Sequence, residues 1–126
     1  MAIVGIGTDI VDIERFQGKT GNSLERLIAR VLTPTEIQIF QQSAQPERYL
    51  AKRFAAKEAV AKALGTGIGR GVSFQHIEIS NNQVGAPLCH LSDGALERLH
   101  AIGGRQIHLS ISDEKRYASA FAVAES

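Results

Sequence analysis

Apolar and polar positions change their period partway along this 126-residue chain. The opening run Ile3-Val4-Gly5-Ile6-Gly7-Thr8-Asp9 alternates with a period of two, which predicts a strand over 3–9. The alternation sends Ala2, Val4, Ile6 and Thr8 to one face and Ile3, Gly5, Gly7 and Asp9 to the other. Two glycines beside an acid leave that second face open to a ligand or another backbone. Helical spacing follows. Ser23 is placed to cap a short helix with Leu24, Leu27, Ile28 and Val31 inward and Arg26 and Arg30 outward. Thr33-Pro34-Thr35-Glu36 has the form of a capping box, and the short helix it starts uses Ile37 and Phe40. The longest helix is predicted over 47–64, stopped by Gly65, Gly67, Gly69 and Gly71. Leu50, Phe54, Ala61 and Leu64 share a narrow arc of it, with Glu58 and Lys62 at the margin. An acid partly buried there needs a partner.

Strand grammar takes over after the glycines. Ile77 to Ser80, a turn at Asn81-Asn82 and Pro87 to Leu91 predict a hairpin. Ser92 to Ile102 reads as an amphipathic helix with Leu96 and Leu99 inward, ended by Gly103-Gly104. Ile107 to Ser112 alternates cleanly, a turn follows at Asp113 to Arg116, and a last strand covers 117–123. Ala118, Ala120 and Ala122 on that strand suit close packing against another sheet or subunit. Helices early and antiparallel strands late predict an α+β fold, an antiparallel sheet with one long central helix. Residues 1–126 are expected to form one domain.

Composition narrows the class. A 44% hydrophobic and 21% charged chain is globular rather than disordered or fibrous. The lone Cys89 excludes an intrachain disulfide and suggests a reducing compartment, so a cytoplasmic location is expected. No apolar run approaches a membrane span, and the apolar start breaks at Asp9 without a basic leader. The net charge of +1 conceals three blocks. Residues 1–14 carry three acids and no base; residues 15–70 carry ten Lys or Arg against four Glu; residues 71–126 carry four basic against six acidic. The basic middle segment either forms a solvated helix face or meets an anionic partner. Nucleic acid is the poorer partner, because few aromatic residues interleave with the basic ones for stacking.

Several constellations carry little chemistry. The run Gly65-Thr66-Gly67-Ile68-Gly69-Arg70-Gly71 closes a helix, whereas a nucleotide-binding glycine loop opens one. A phosphate could still meet its backbone amides. His76, His90, His100 and His108 lack zinc-site spacing, and His108 stands out only for sharing a strand face with Ser110 and Ser112. Cys89, in an apolar strand, reads as core rather than nucleophile. Asp9 and Glu58 are sharper. Together they could hold one divalent cation, completed by substrate oxygens and water. Equally, Glu58 could pair with Lys62 four residues on, and Asp9 could simply end a strand.

Four segments together resemble the holo-[acyl-carrier-protein] synthase family, the small bacterial phosphopantetheinyl transferases. They are Gly5 to Ile13, Arg53 to Gly65 with its F-x-x-K-E-x-x-x-K-A pattern, Asn82 to Pro87, and His108 to Asp113. Ala86 departs from the basic residue often found between glycine and proline in the third. The resemblance implies that Asp9 and Glu58 ligate Mg²⁺ and that Lys62 stabilises the leaving group. It implies that Arg53, Lys57, Lys62, Gly65 and His108 bind coenzyme A. It further implies a homotrimer with active sites in clefts between subunits, acting on an apo acyl carrier protein in fatty acid biosynthesis. Such carriers are acidic, so Arg15, Arg26 and Arg30, expected outside the metal site, become candidates to dock one.

Overall fold

The computed structural model describes residues 1–126. Strand β1 (Ile3–Asp12) leads through a 3₁₀ turn (Ile13–Arg15) to helices α1 (Gly21–Val31), α2 (Pro34–Gln42) and α3 (Pro46–Ala63). A second 3₁₀ turn (Phe74–His76) precedes the hairpin β2 (Ile77–Asn81) and β3 (Pro87–Leu91). Helix α4 (Asp93–Ala101) and strands β4 (Gln106–Asp113) and β5 (Tyr117–Glu125) complete the chain. The α+β class and the antiparallel strands match the expectation. The strands divide into two sheets, however: a three-stranded one in the order β1-β5-β4, and the β2-β3 hairpin beside it.

Helix α3 lies across the three-stranded sheet and closes the core. Its Ala55, Ala56, Ala59 and Ala63 are buried, as are Ala118, Ala120, Ala122 and Ala124 of β5. Those β5 alanines share a sheet face with Gly5, Gly7, Asp9 and Val11 of β1 through the strand register. Their neighbour is therefore this chain's own helix, not another subunit. Small residues on both sides let the backbones approach closely. At Gly5 and Gly7 a Cβ would collide with the carbonyls of Ala63 and Ala59. The open glycine face of the first strand is filled by a backbone, that of α3.

Several local predictions changed in extent: β2 and β4 take in Asn81 and Asp113, expected in turns, and β5 runs on to Glu125. Strand β1 runs three residues past Asp9, because Val11 continues the buried alternation. Helix α1 begins at Gly21 rather than after Ser23, with Thr20 as its N-cap. The Thr33/Glu36 capping box forms as expected. The opposite face of the large sheet carries Ile6, Ile10, Tyr117 and Phe121, all exposed, with His108 and Ser110 beside them in register. No helix is long and apolar enough to cross a membrane.

Candidate active site

The close seat of α3 on β1 creates the site. With no Cβ at Gly7, the helix presses near enough for Lys62 to reach over the strand. Its Nζ donates to the Thr8 carbonyl at 2.9 Å and to Asp9 Oδ1 at 3.0 Å. Glu58 stands one turn earlier on α3, and the lysine spends itself on Asp9 rather than in an i,i+4 ion pair with it. Partial burial, then the neighbouring Asp9 charge, push the Glu58 carboxyl above its ordinary pKa, while Lys62, Arg30 and Arg15 pull it down. Two carboxylates thus lie near one another, with the Lys62 ammonium bonded to one of them.

Arg15 and Arg30 sit nearer to this site than expected. Phe16, Phe54 and Phe74 form an aromatic row with centroid spacings of 5.5 and 5.6 Å. The Arg15 guanidinium lies 5.4 Å from the Phe54 ring, and that of Arg30 lies 5.3 Å from Phe74. The row braces two cations close enough to act on Glu58. Arg26, by contrast, turns back to the Asn22 carbonyl at 3.3 Å and is exposed.

Three residues of the expected coenzyme set behave differently. Lys57 is fully buried, and its Nζ donates to Glu36 Oε1 (2.6 Å) and to the carbonyls of Val31 (2.6 Å) and Phe74 (3.1 Å). All three ammonium donors are occupied, so none is left for a phosphate. Gly65 ends α3 with φ +81°, and its N–H goes to the Lys62 carbonyl at 2.9 Å. The next two amides both bond to the Ala61 carbonyl, so this part of the loop caps the helix instead of cradling an anion. His108 lies on the exposed sheet face, paired to Glu125 Oε1 at 3.0 Å, whereas Asp9 lies on the covered face. One chain does not bring them together.

Arg53 borders a cavity of about 370 Å³ between α3, the β2–β3 turn and β4. It is 4% exposed, donates through Nη2 to Asn81 Oδ1 at 2.8 Å, and stacks 4.7 Å over the Tyr49 ring. Asn81 is itself fixed by donating to the Gly85 carbonyl at 3.0 Å. Arg48 and Lys52 complete a cationic wall that was not anticipated. The basic residues at 48, 52 and 53, spaced to share one side of a helix, were its visible signal.

No group of three or more His, Cys, Asp or Glu gathers to hold a metal. Asp9 and Glu58 nevertheless form a hard oxygen pair of the kind that holds Mg²⁺ when substrate oxygens and water supply the rest. Burial pushes the Cys89 thiol up to about 12, which leaves it protonated and unreactive. The Lys62 ammonium beside Asp9 and the cationic wall of the cavity suit this side of α3 to an anionic ligand.

Residues 5–122 match the 4'-phosphopantetheinyl transferase superfamily. A holo-[acyl-carrier-protein] synthase of Shewanella piezotolerans is 62% identical over 130 aligned residues, covering 98% of this chain and 99% of that one. The crystal structure of the Neisseria meningitidis holo-[acyl-carrier-protein] synthase superposes with a TM-score of 0.89 at 44% identity, covering 99% of this chain and 100% of that one. The Helicobacter pylori holo-[acyl-carrier-protein] synthase in complex with coenzyme A gives 0.81 at 34% identity, covering 95% and 99%. The chain belongs to the 4'-phosphopantetheinyl transferase superfamily and, within it, to the holo-[acyl-carrier-protein] synthase family.

Proposed function

We propose that the chain transfers the 4'-phosphopantetheine group from coenzyme A to a serine of an apo acyl carrier protein. The observation that carries this reading is Lys62 bonded to Asp9 beside a Glu58 whose carboxyl is raised. Asp9 and Glu58 would hold Mg²⁺, which supplies positive charge to the coenzyme pyrophosphate. Lys62 keeps an ammonium about half exposed at the same place, able to donate to the departing phosphate. The carrier serine oxygen bonds to the phosphorus attached to pantetheine, and the bond from that phosphorus to the nucleotide phosphate breaks. Adenosine 3',5'-bisphosphate leaves, and the serine proton passes to Glu58 or to water. Positioning and charge stabilisation supply most of the rate.

Arg15, Arg26 and Arg30 supply the cationic rim for an acidic carrier, with Arg15 and Arg30 close enough to present its serine to Glu58. Such rim charges act mainly on association rate and its salt dependence. The decisive experiment incubates the protein with coenzyme A, Mg²⁺ and apo carrier and weighs the carrier. A gain of one phosphopantetheine group is expected, and an unchanged mass would sink the reading.

The exposed face of the large sheet fits assembly as a homotrimer. Ile6 and Ile10 are 60% and 66% exposed on a sheet face that also carries Phe121 and Tyr117. An apolar face of this kind marks an association surface. His108 shares it, so it would lie at the seam between neighbouring subunits. Replacing Ile10 with Glu should shift the light-scattering mass from trimer to monomer and lower transfer with it. A variant that stays trimeric would remove this face from the interface.

A further inference from the structure

We propose that Gln75 is a positioning residue for carrier recognition: it clamps the C-terminal end of α1 and so holds Arg26 and Arg30 at the angle that receives an acidic carrier. The inference rests on the carrier-docking reading above. Helix α1 ends without a local cap of its own. Its C-cap, Leu32, is extended, and the chain runs on into Thr33 and Pro34. Pro34 has no N–H, and the Thr33 amide is taken by Glu36 Oε1 at 2.8 Å. The carbonyls of Ala29 and Arg30 therefore find no donor in the next turn of chain.

Side chains from elsewhere supply these donors. Gln75 Nε2 donates to the Leu32 carbonyl at 2.7 Å and the Ala29 carbonyl at 2.9 Å, with the Arg30 carbonyl a longer contact at 3.4 Å. Lys57 takes the Val31 carbonyl between them. Gln75 is itself held in place, because it sits in the 3₁₀ turn Phe74–His76. There the His76 amide donates to the Ser73 carbonyl at 3.1 Å, His76 Nδ1 accepts from the Ser73 amide at 3.2 Å, and the His76 carbonyl accepts from the Ser92 amide at 2.9 Å. The neighbouring Phe74 is buried and carries the Arg30 guanidinium over its ring. One turn thus holds both the end of α1 and the side chain of Arg30.

The clamp matters because α1 has few other anchors. Val31, at its C-terminal end, is its one buried residue; Leu24, Leu27 and Ile28 are half-buried. A helix of 11 residues, about 16 Å long, is fixed most firmly at one end. A change of angle at that end swings Arg26 and the turn before it. Without the clamp, the angle that suits the carrier becomes one of several, and apparent affinity falls with the fraction of time it is populated.

Steady-state kinetics with carrier and coenzyme A varied in turn test this in Gln75→Met, which keeps the length and neutrality of the side chain and removes its donors. Gln75 is exposed, so the substitution leaves no hole, and assays are run well below the variant's melting temperature. KM for the carrier should rise about fivefold, the scale of one lost hydrogen bond, while KM for coenzyme A stays within about twofold. In an Arg26→Ala/Arg30→Ala background the same substitution should move the carrier KM less than about twofold, because the clamp then has no cations to place. An unchanged carrier KM in Gln75→Met, an equal rise for both substrates, or an effect undiminished in that background would overturn the assignment. If Arg26→Ala/Arg30→Ala alone leaves the carrier KM unmoved, the docking reading itself falls and takes the clamp with it.

Discussion

Glu58→Gln is expected to cut transfer by on the order of 10²–10³ while the folded protein becomes no less stable. The two halves of this expectation have one cause. Glu58 is partly buried beside Asp9, so its carboxyl is raised and its ionised form is disfavoured in the fold. For a carboxyl raised on folding, the penalty is in force at neutral pH and is relieved as pH falls through the acid range. Glutamine keeps the shape and removes the penalty, so the melting temperature at neutral pH should stay level or rise. The difference from wild type should vanish in acid, where both side chains are neutral. The same substitution takes away one of the two oxygen ligands proposed for Mg²⁺, so on that proposal Mg²⁺ should raise the melting temperature of wild type more than that of the variant. Glutamine that retained wild-type transfer would remove Glu58 from the metal site. Lost transfer with an equally lost fold would make its role structural.

Most of the fold was legible because its elements are punctuated locally. The Thr33 capping box, the glycine stop after α3 and the turn that opens at Asn82 each announce a boundary with a few adjacent residues. What stayed hidden depends on partners distant in sequence. Alternation along β5 showed that its alanines share a face, yet only the register with β1 and the seat of α3 show that this face meets the chain's own helix. The site divides the same way. Asp9, Glu58 and Lys62 were named from motif and spacing, and the structure brings them together. Arg15 and Arg30 were placed outside the site, because nothing along the chain reveals the aromatic row that seats them. Lys57 misled for a further reason. A lysine beside a functional glutamate in a motif reads as functional, but neighbouring helix positions point about 100° apart. Glu58 takes the ligand side and Lys57 the core side.

That division makes Lys57→Met the variant with the largest expected effect on stability. Lys57 and Glu36 form an ion pair at 2.6 Å, with side chains 0% and 1% exposed. Burial pulls the lysine below its ordinary pKa, against the pull of Glu36, so its charge depends on that partner. Glu36 is equally committed: Oε1 also accepts from the Thr33 amide at 2.8 Å and Oε2 from the Ile79 amide at 2.7 Å. The pair therefore ties α2, α3, the end of α1 and β2 at one point. Removing only the lysine leaves a buried carboxylate and two buried carbonyls without their donor, a loss of about 3–5 kcal/mol. For a domain of this size, the melting temperature should fall by roughly 10–20 °C. Adding Glu36→Gln removes the stranded charge, so the double variant should lose about 0.5–3 kcal/mol less than the two single losses summed. Below their melting temperatures, both variants should keep KM for coenzyme A within about twofold of wild type, since a change that small is under 0.5 kcal/mol. A large rise in that KM in fully folded protein, with stability unchanged, would return Lys57 to the phosphate site. Lost stability with KM intact places it in the core, one residue from Glu58 and about 100° around the helix from it.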